Sequence, residues 1–288
     1  NRARSSGQVL STVARSVRAT LREATRERGR VGGIGVAVPG LVESATGLLR
    51  LAPNLGWRDV DLRGELRRRA ELDDLAVLVG NEANFAALAE LWQAGPGDAR
   101  DFVHVSGEIG IGAGIVIDGA VFEGVRGFGG EIGHLSVNPA GPECSCGSRG
   151  CLERMAGQEE ILRRAGITET AAPATLIDEL VRRLTRRDRK SLSAVDSTAR
   201  WLGIGLSTVI NVLDVPTVVL GGSYARIAPW LGEPLRAELD RRVVSAAWTP
   251  VRVVPSALGT EAAVSGAAGA VVRAIIADPD SFVSSETG

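Results

Sequence analysis

Apolar residues recur every three or four positions over 6–28, where Val9, Val13, Val17 and Leu21 share one face and arginines hold the other. That period predicts an amphipathic helix. The run Val31-Gly-Gly-Ile-Gly-Val-Ala-Val38 is short and apolar throughout, which predicts a buried strand ended by Pro39-Gly40. A turn region with Pro53 and Asn54 follows, then a short helix near 61–70. A second buried strand spans 75–79, and Asn81 caps a helix running to about residue 94. Gly95-Pro96-Gly97 is the candidate linker. Beyond it, 101–106 and 111–117 form two strands around Gly107-Glu108-Ile109-Gly110, and a glycine-punctuated segment leads on to residue 134. Helical periods return at 157–165, 174–186, 191–213, 227–240 and 261–276, interleaved with strands at 215–220 and 251–255. The tail from Asp278 is polar and is expected to be disordered. Strands alternating with helices predict α/β layers in two lobes, 1–97 and 98–288, with a ligand cleft between them.

Composition narrows the function. The chain has 288 residues, 44% hydrophobic and 23% charged, with a formal net charge of −1. That is ordinary for a globular protein and gives no bulk attraction to nucleic acid or anionic membrane. Residues 1–30 are arginine-rich without an apolar signal core, and no run of about eighteen apolar residues is present to span a bilayer. A cytoplasmic, reducing location is therefore expected.

The chemistry concentrates in one segment. His134, Cys144, Cys146 and Cys151 are spaced H-x9-C-x-C-x4-C and include all three cysteines of the chain. Three thiolates and one imidazole at such separations suit a tetrahedral Zn²⁺ of structural type. The competing reading is one disulfide with a leftover thiol. An odd cysteine count and a reducing compartment favour metal. Glu131 and Glu153 bracket the set and, with the second ring nitrogen of His134, can take the hydroxyls of a sugar. Asn81-Glu82-Ala83-Asn84 lies where a strand meets a helix, the position that faces the crevice in open α/β sheets. Glu82 is there either a base or polyol acceptor, or merely a complement to the helix dipole. The glycines of 107–114 are read as a hairpin in preference to a phosphate cradle, because Glu108 repels an anion and no P-loop lysine follows. Gly221-Gly222-Ser223 suits either a nucleotide or a tight turn. His104 is expected to be a satisfied core or cleft residue.

Together these segments resemble the ROK family of repressors, open reading frames and sugar kinases. The resemblance is carried by Gly35-Val-Ala-Val-Pro-Gly-Leu-Val42, Pro53-Asn-Leu-Gly-Trp57, Asn81-Glu-Ala-Asn84, Gly110-Ile-Gly-Ala-Gly114, Gly130-Glu-Ile-Gly-His134, Cys144-Ser-Cys-Gly-Ser-Arg-Gly-Cys-Leu-Glu153 and Val218-Val-Leu-Gly-Gly222. It implies a two-lobed actin/hexokinase-like fold (ribonuclease H-like) whose final helix packs back on the first lobe. It also implies zinc on His134, Cys144, Cys146 and Cys151, and sugar contacts from Gly40, Asn54, Asn81, Glu82, Glu131, His134 and Glu153.

Three departures bear on the branch. Family kinases use Asp as base where this chain has Glu82, and misplacing a reacting group by about an ångström can cost roughly a hundredfold in rate. Their opening Asp-x-Gly-Gly-Thr phosphate hairpin has no counterpart in the 288 residues. Glu108 stands where kinases usually carry a small hydroxyl residue, and phosphoryl transfer depends on positioning and charge. Asn-Glu-Ala-Asn resembles the xylose-repressor-type branch, which implies a sugar effector, a homodimer or larger homo-oligomer, and operator contact only through an N-terminal helix-turn-helix ahead of this segment. On that reading Gly110, Gly112, Gly221 and Gly222 are a vestigial nucleotide site. The alternative is a kinase with Glu82 as base and ATP with Mg²⁺ as cofactor.

Overall fold

The structure, a computed structural model, describes residues 5–27, 31–72, 75–93, 100–108, 110–168 and 173–280. The candidate linker at 95–97, Ile109 and the last eight residues of the tail lie outside the described residues.

The chain opens with α1 (Ser6–Arg26), capped by Ser5, whose hydroxyl accepts from the Gln8 amide while the Gln8 side chain accepts from the Ser5 amide. Next come β1 (Gly33–Val38), β2 (Leu41–Glu43), β3 (Leu48–Ala52), β4 (Trp57–Asp61), α2 (Leu62–Ala70), β5 (Ala76–Asn81) and α3 (Glu82–Gln93). The rest comprises β6 (Phe102–Gly107), β7 (Ile111–Ile117), β8 (Ala120–Val121), α4 (Leu152–Ala156), α5 (Gln158–Ala165), α6 (Pro173–Thr185), α7 (Arg189–Leu213), β9 (Thr217–Gly221), α8 (Gly222–Asp240), β10 (Arg252–Pro255) and α9 (Ala262–Ala277).

Three sheets result. β1 and β5 pair in parallel with Val38 opposite Asn81, and β2–β3–β4 form an antiparallel meander. The large sheet runs β10-β9-β6-β7-β8, with β6 parallel to β9 and antiparallel to β7. Three buried clusters lie beneath these sheets, the smallest of them Ala87, Phe102, Val116 and Val219. A second joins Leu10 and Ala14 of α1 to Leu49, Leu62, Leu66, Val77 and Val79. The largest packs Val103, Val105 and Leu220 against Leu152, Leu202, Leu206, Tyr224 and Leu231. The C-terminal ends of β1, β5 and β6 open onto one cavity, as Gly40, Asn81 and Ser106 all line it.

α9 returns across the molecule to pack on α3 and β1. Gly266 permits this: a Cβ there would stand 1.7 Å from the Phe85 carbonyl oxygen. Gly266→Ala would gain up to about 1 kcal/mol of helix propensity but overpack against main chain, which typically costs about 1–3 kcal/mol. The clash wins because a carbonyl on α3 cannot swing aside. Urea denaturation should show a lower midpoint, and an unchanged or raised one would contradict this packing.

Several expectations need correction. Residues 41–61 are not merely a turn region but the three-stranded meander. Its strands are three to five residues long and carry Arg50, Arg58 and Asp59 on exposed positions, so no alternation stands out. α8 begins at Gly222, not near 227, since its first turn reads as a glycine turn and Pro229 and Pro234 lie inside it. α4 was hidden within the cysteine motif. Finally, Gly259–Ala277 is long and apolar enough to cross a bilayer by composition. Counting uninterrupted apolar residues missed it; here it is the helix packed on α3 and β1.

Candidate functional site

The cysteine segment folds back on itself. Val137 donates to the Gly150 carbonyl (2.9 Å) and Leu152 to the Leu135 carbonyl (2.8 Å), which sets the His134 turn beside Cys151. Cys144 donates its amide to the Ser148 carbonyl (2.9 Å), and Gly147 donates to the Cys144 carbonyl (3.0 Å), closing a tight turn around Cys146. As a result one donor atom from each of His134, Cys144, Cys146 and Cys151 lies within 4.8 Å of the other three. Cys144 Sγ is 3.7 Å from His134 Nδ1, and Cys146 Sγ is 3.6 Å from Cys151 Sγ. A tetrahedron of Zn–S bonds near 2.3 Å puts its sulfurs about 3.8 Å apart, close to these two separations, so the four donors can close on one zinc with at most a small contraction of the set. A disulfide does not fit, since all three cysteines are free. Burial first, with Glu153 and Cys146 adding to it at Cys144 and Cys146 at Cys151, raises these two thiols above their ordinary range, whereas a bound divalent cation deprotonates a coordinating thiol outright.

His134 connects this cluster to the cavity. Its Nδ1 faces the sulfurs, and its Nε2 lies 3.9 Å from Glu131 Oε2. Glu153 Oε1 is 3.7 Å from Nδ1 and accepts from Cys144 Sγ at 3.0 Å. The cavity, of about 480 Å³, is lined by Gly40, Asn54, Asn81, Glu82, Glu131, His134 and Glu153, every residue marked above as a sugar contact. The size falls in the range of small-molecule sites.

Local structure fixes several of these groups. Asn81 donates from Nδ2 to the Gly40 carbonyl (2.9 Å), and its Oδ1 accepts from the amides of Ala83 (2.8 Å) and Asn84 (3.2 Å). One side chain thus caps α3 and ties it to the β1–β2 turn. Gly40 has φ +108, and a Cβ there would stand 2.2 Å from the Leu51 carbonyl oxygen, so only glycine fits.

The inner end of the cavity is acidic. Glu82 is exposed at the cavity surface, with the cavity walls close around it. Burial first, and the Glu108 carboxylate second, push its pKa up to about 7. Burial, with Glu153 adding to it and His134 opposing, also raises Glu131. Gly110, Gly112 and Gly222 line the cavity, Gly110 beside Glu153 and Asn54 and Gly222 beside Glu108 and Ser106, whereas Gly221 is not among the lining residues. Gly221 instead accommodates the His104 ring, whose Nε2 a Cβ would meet at 2.3 Å. Gly112 and Gly114 belong to β7 beneath α3, which agrees with the hairpin reading.

His104 contradicts its expected satisfied state. It is 1% exposed and borders the cavity, and neither nitrogen has a hydrogen-bond partner among the described residues. Burial lowers its pKa to about 4, so the ring is neutral. Ser106 and Thr260 also line the cavity and were not singled out. The end of a β-strand was a usable signal for Ser106; nothing in the sequence marked Thr260.

The sequence pattern of the ROK family matches residues 1–274. The chain belongs to the ROK family. A putative xylose repressor of Caldicellulosiruptor sp. is 36% identical over 262 residues, covering 86% of this chain and 64% of the relative. This chain thus spans a little under two thirds of that ROK repressor's length. A glucokinase of Halalkalibacterium halodurans is 32% identical, covering 81% of this chain and 74% of its own. Among solved ROK structures, a glucokinase from Streptomyces griseus in complex with glucose and AMPPNP superposes with a TM-score of 0.77 at 27% identity, covering 91% of this chain and 88% of that one. A ROK transcriptional regulator described as a homologue of E. coli MLC gives 0.78 at 26%, covering 93% and 68%. The fold is therefore the two-lobed actin/hexokinase-like α/β fold, and ROK relatives of both kinds, repressor and glucokinase, match it.

Proposed function

We propose that this chain is the sugar-binding effector part of a ROK-type transcriptional regulator and does not itself transfer phosphate. The observation that carries this reading is the inner cavity wall: Glu82 and Glu108 face it, and no arginine or lysine lines the cavity among the described residues. A phosphate chain placed there meets charge of its own sign with no cation to offset it, while phosphoryl transfer relies on charge stabilisation. A neutral sugar meets no such penalty. Gly40, Asn54, Asn81, Glu131, Glu153 and the Nε2 edge of His134 would hold its hydroxyls, and zinc on the opposite edge of His134 would fix the ring's orientation. Sugar bound between the lobes would shift a homodimer between two states, and operator contact would belong to sequence outside these 288 residues.

A second reading has one specific observation in its favour. A carboxyl group titrating near 7 suits a general base at neutral pH, and Glu82 is such a group. An ATP-dependent sugar kinase would use it to take the proton of a sugar hydroxyl, with ATP and Mg²⁺ supplying the phosphoryl group.

One experiment separates the readings. The full-length protein is titrated with monosaccharides, following melting temperature and sugar-dependent ADP release together. We expect at least one sugar to raise the melting temperature with no accompanying turnover. Turnover at about 1 s⁻¹ or faster, the ordinary enzyme range, would overturn the regulator reading.

A further inference from the structure

We infer that the cavity takes a neutral disaccharide, with one ring on the sugar contacts named above and the second over Gly112, Ser106 and Thr260. This deepens the sugar reading by giving the size of its ligand, and it rests on that reading. The first observation is volume. A hexose has about twelve non-hydrogen atoms, which at roughly 15 Å³ each come to about 180 Å³. The cavity measures about 480 Å³. A single ring held by Asn54, Glu131, His134 and Glu153 would fill less than half of it, whereas small-molecule sites enclose most of their ligand's surface. A second ring brings the ligand to about 350 Å³ on the same count, and the cavity still holds it.

The second observation is a floor of glycines that joins the two parts. A Cβ on Gly110 would stand 2.7 Å from Glu153 Oε2 and 3.3 Å from Asn54 Nδ2, which sets Gly110 among the sugar contacts. Two residues on, a Cβ on Gly112 would stand 3.6 Å from Ser106 Oγ, and one on Gly222 would stand 3.4 Å from Ser106 Cβ and 3.2 Å from Glu108 Oε1. All three glycines line the cavity, so no side chain of theirs rises between the first ring and the second. The chemistry of the far part suits a sugar. Ser106 and Thr260 offer hydroxyls that donate or accept, and the Glu108 carboxylate accepts, which together match the hydroxyls of a pyranose. Ala83, Ala86, Ala262 and Ala263 add small apolar wall for the C–H groups of the ring. A phosphate chain would need a cation here, and among the described residues no arginine or lysine lines the cavity. A neutral second ring needs none.

The test is calorimetric titration of the full-length protein at neutral pH with matched sugars: glucose against cellobiose, maltose and gentiobiose, which differ in linkage, and xylose against xylobiose. At least one disaccharide should bind tenfold or more tightly than its own monosaccharide, because the second ring adds contact without a second loss of translational and rotational freedom. This comparison needs no variant. Ser106→Ala and Thr260→Val, which change size little, should each weaken that disaccharide several-fold more than the monosaccharide. If every monosaccharide binds within tenfold of its disaccharides or more tightly, or if both variants weaken the two ligands alike, the inference is overturned while the sugar reading stands. If no sugar of either size binds, the sugar reading fails and takes the inference with it.

Discussion

Cys151→Ser should leave the purified protein without stoichiometric metal and lower its melting temperature by roughly 10 °C. Cys151 is fully buried, caps α4 and supplies one of the four donor atoms gathered within 4.8 Å. Serine is close to cysteine in size but offers a poor zinc ligand. Structural zinc contributes about 10–16 kcal/mol in peptides that have no other core. This chain has a large independent one, packed on Leu152, Leu202, Leu206 and Tyr224, so only the loop from His134 to Cys151 depends on the ion. A loss of about 3–5 kcal/mol is the reasonable share, and for a chain of this size each kcal/mol is worth about 2–4 °C. Cys144→Ser should behave alike, and a strong chelator should lower the wild type to the same temperature while leaving both variants unmoved. Sugar affinity should fall in parallel, because the Nε2 edge of His134 is aimed by what its Nδ1 holds. Metal analysis finding no zinc in the wild type, or a chelator without effect, would remove the metal and with it this account of His134.

How much of this was legible beforehand differed by region, for physical reasons. Helices such as α1, α6, α7 and α9 announce themselves because one face must be apolar at helical spacing, and their observed ends fall within about two residues of the pattern. The metal ligands are equally legible, since zinc chemistry restricts both residue type and separation. The β2–β4 meander was not. Its strands are short, and Arg50, bridging Glu43 (2.7 Å) and Asp59 (3.1 Å), reads as a solvated loop although it links neighbouring strands. The state of His104 was not legible either. Sequence places it in a strand but cannot say that Gly221 leaves room for its ring and that, among the described residues, nothing pairs with it. Likewise, Glu82 and Glu108 are both visible as departures from a kinase pattern. That Glu108 pushes up the pKa of Glu82, in a cavity lined by no arginine or lysine among the described residues, is a property of three dimensions.

The same pair sets the second large effect: Mg²⁺-ATP should show no binding to the wild type at micromolar concentrations, and Glu108→Ser should raise its affinity at least tenfold. Two unit charges of one sign about 4 Å apart repel by about 4 kcal/mol at an effective dielectric near 20, which is about a thousandfold in affinity. Mg²⁺ brought with the nucleotide cancels part of this, yet Mg²⁺-ATP remains an anion, so the sign of the effect survives. Glu82 moderates it as well, because a carboxyl with a pKa near 7 is half protonated at neutrality. Raising the pH through 7 charges Glu82 further, so any nucleotide affinity should weaken from pH 6 to 8 in the wild type, and less so in Glu82→Gln. Serine at 108 removes one charge and leaves Gly222, against which the Glu108 side chain rests, with more room. Micromolar binding of Mg²⁺-ATP to the wild type would show that charge at this wall does not exclude phosphate, and Glu108→Ser leaving affinity unchanged would show that Glu108 is not the residue that does so. The first result would favour the kinase reading, because the acidic wall is the feature that sets this cavity apart from a nucleotide site; the second would move the exclusion of phosphate from Glu108 to another part of the cavity.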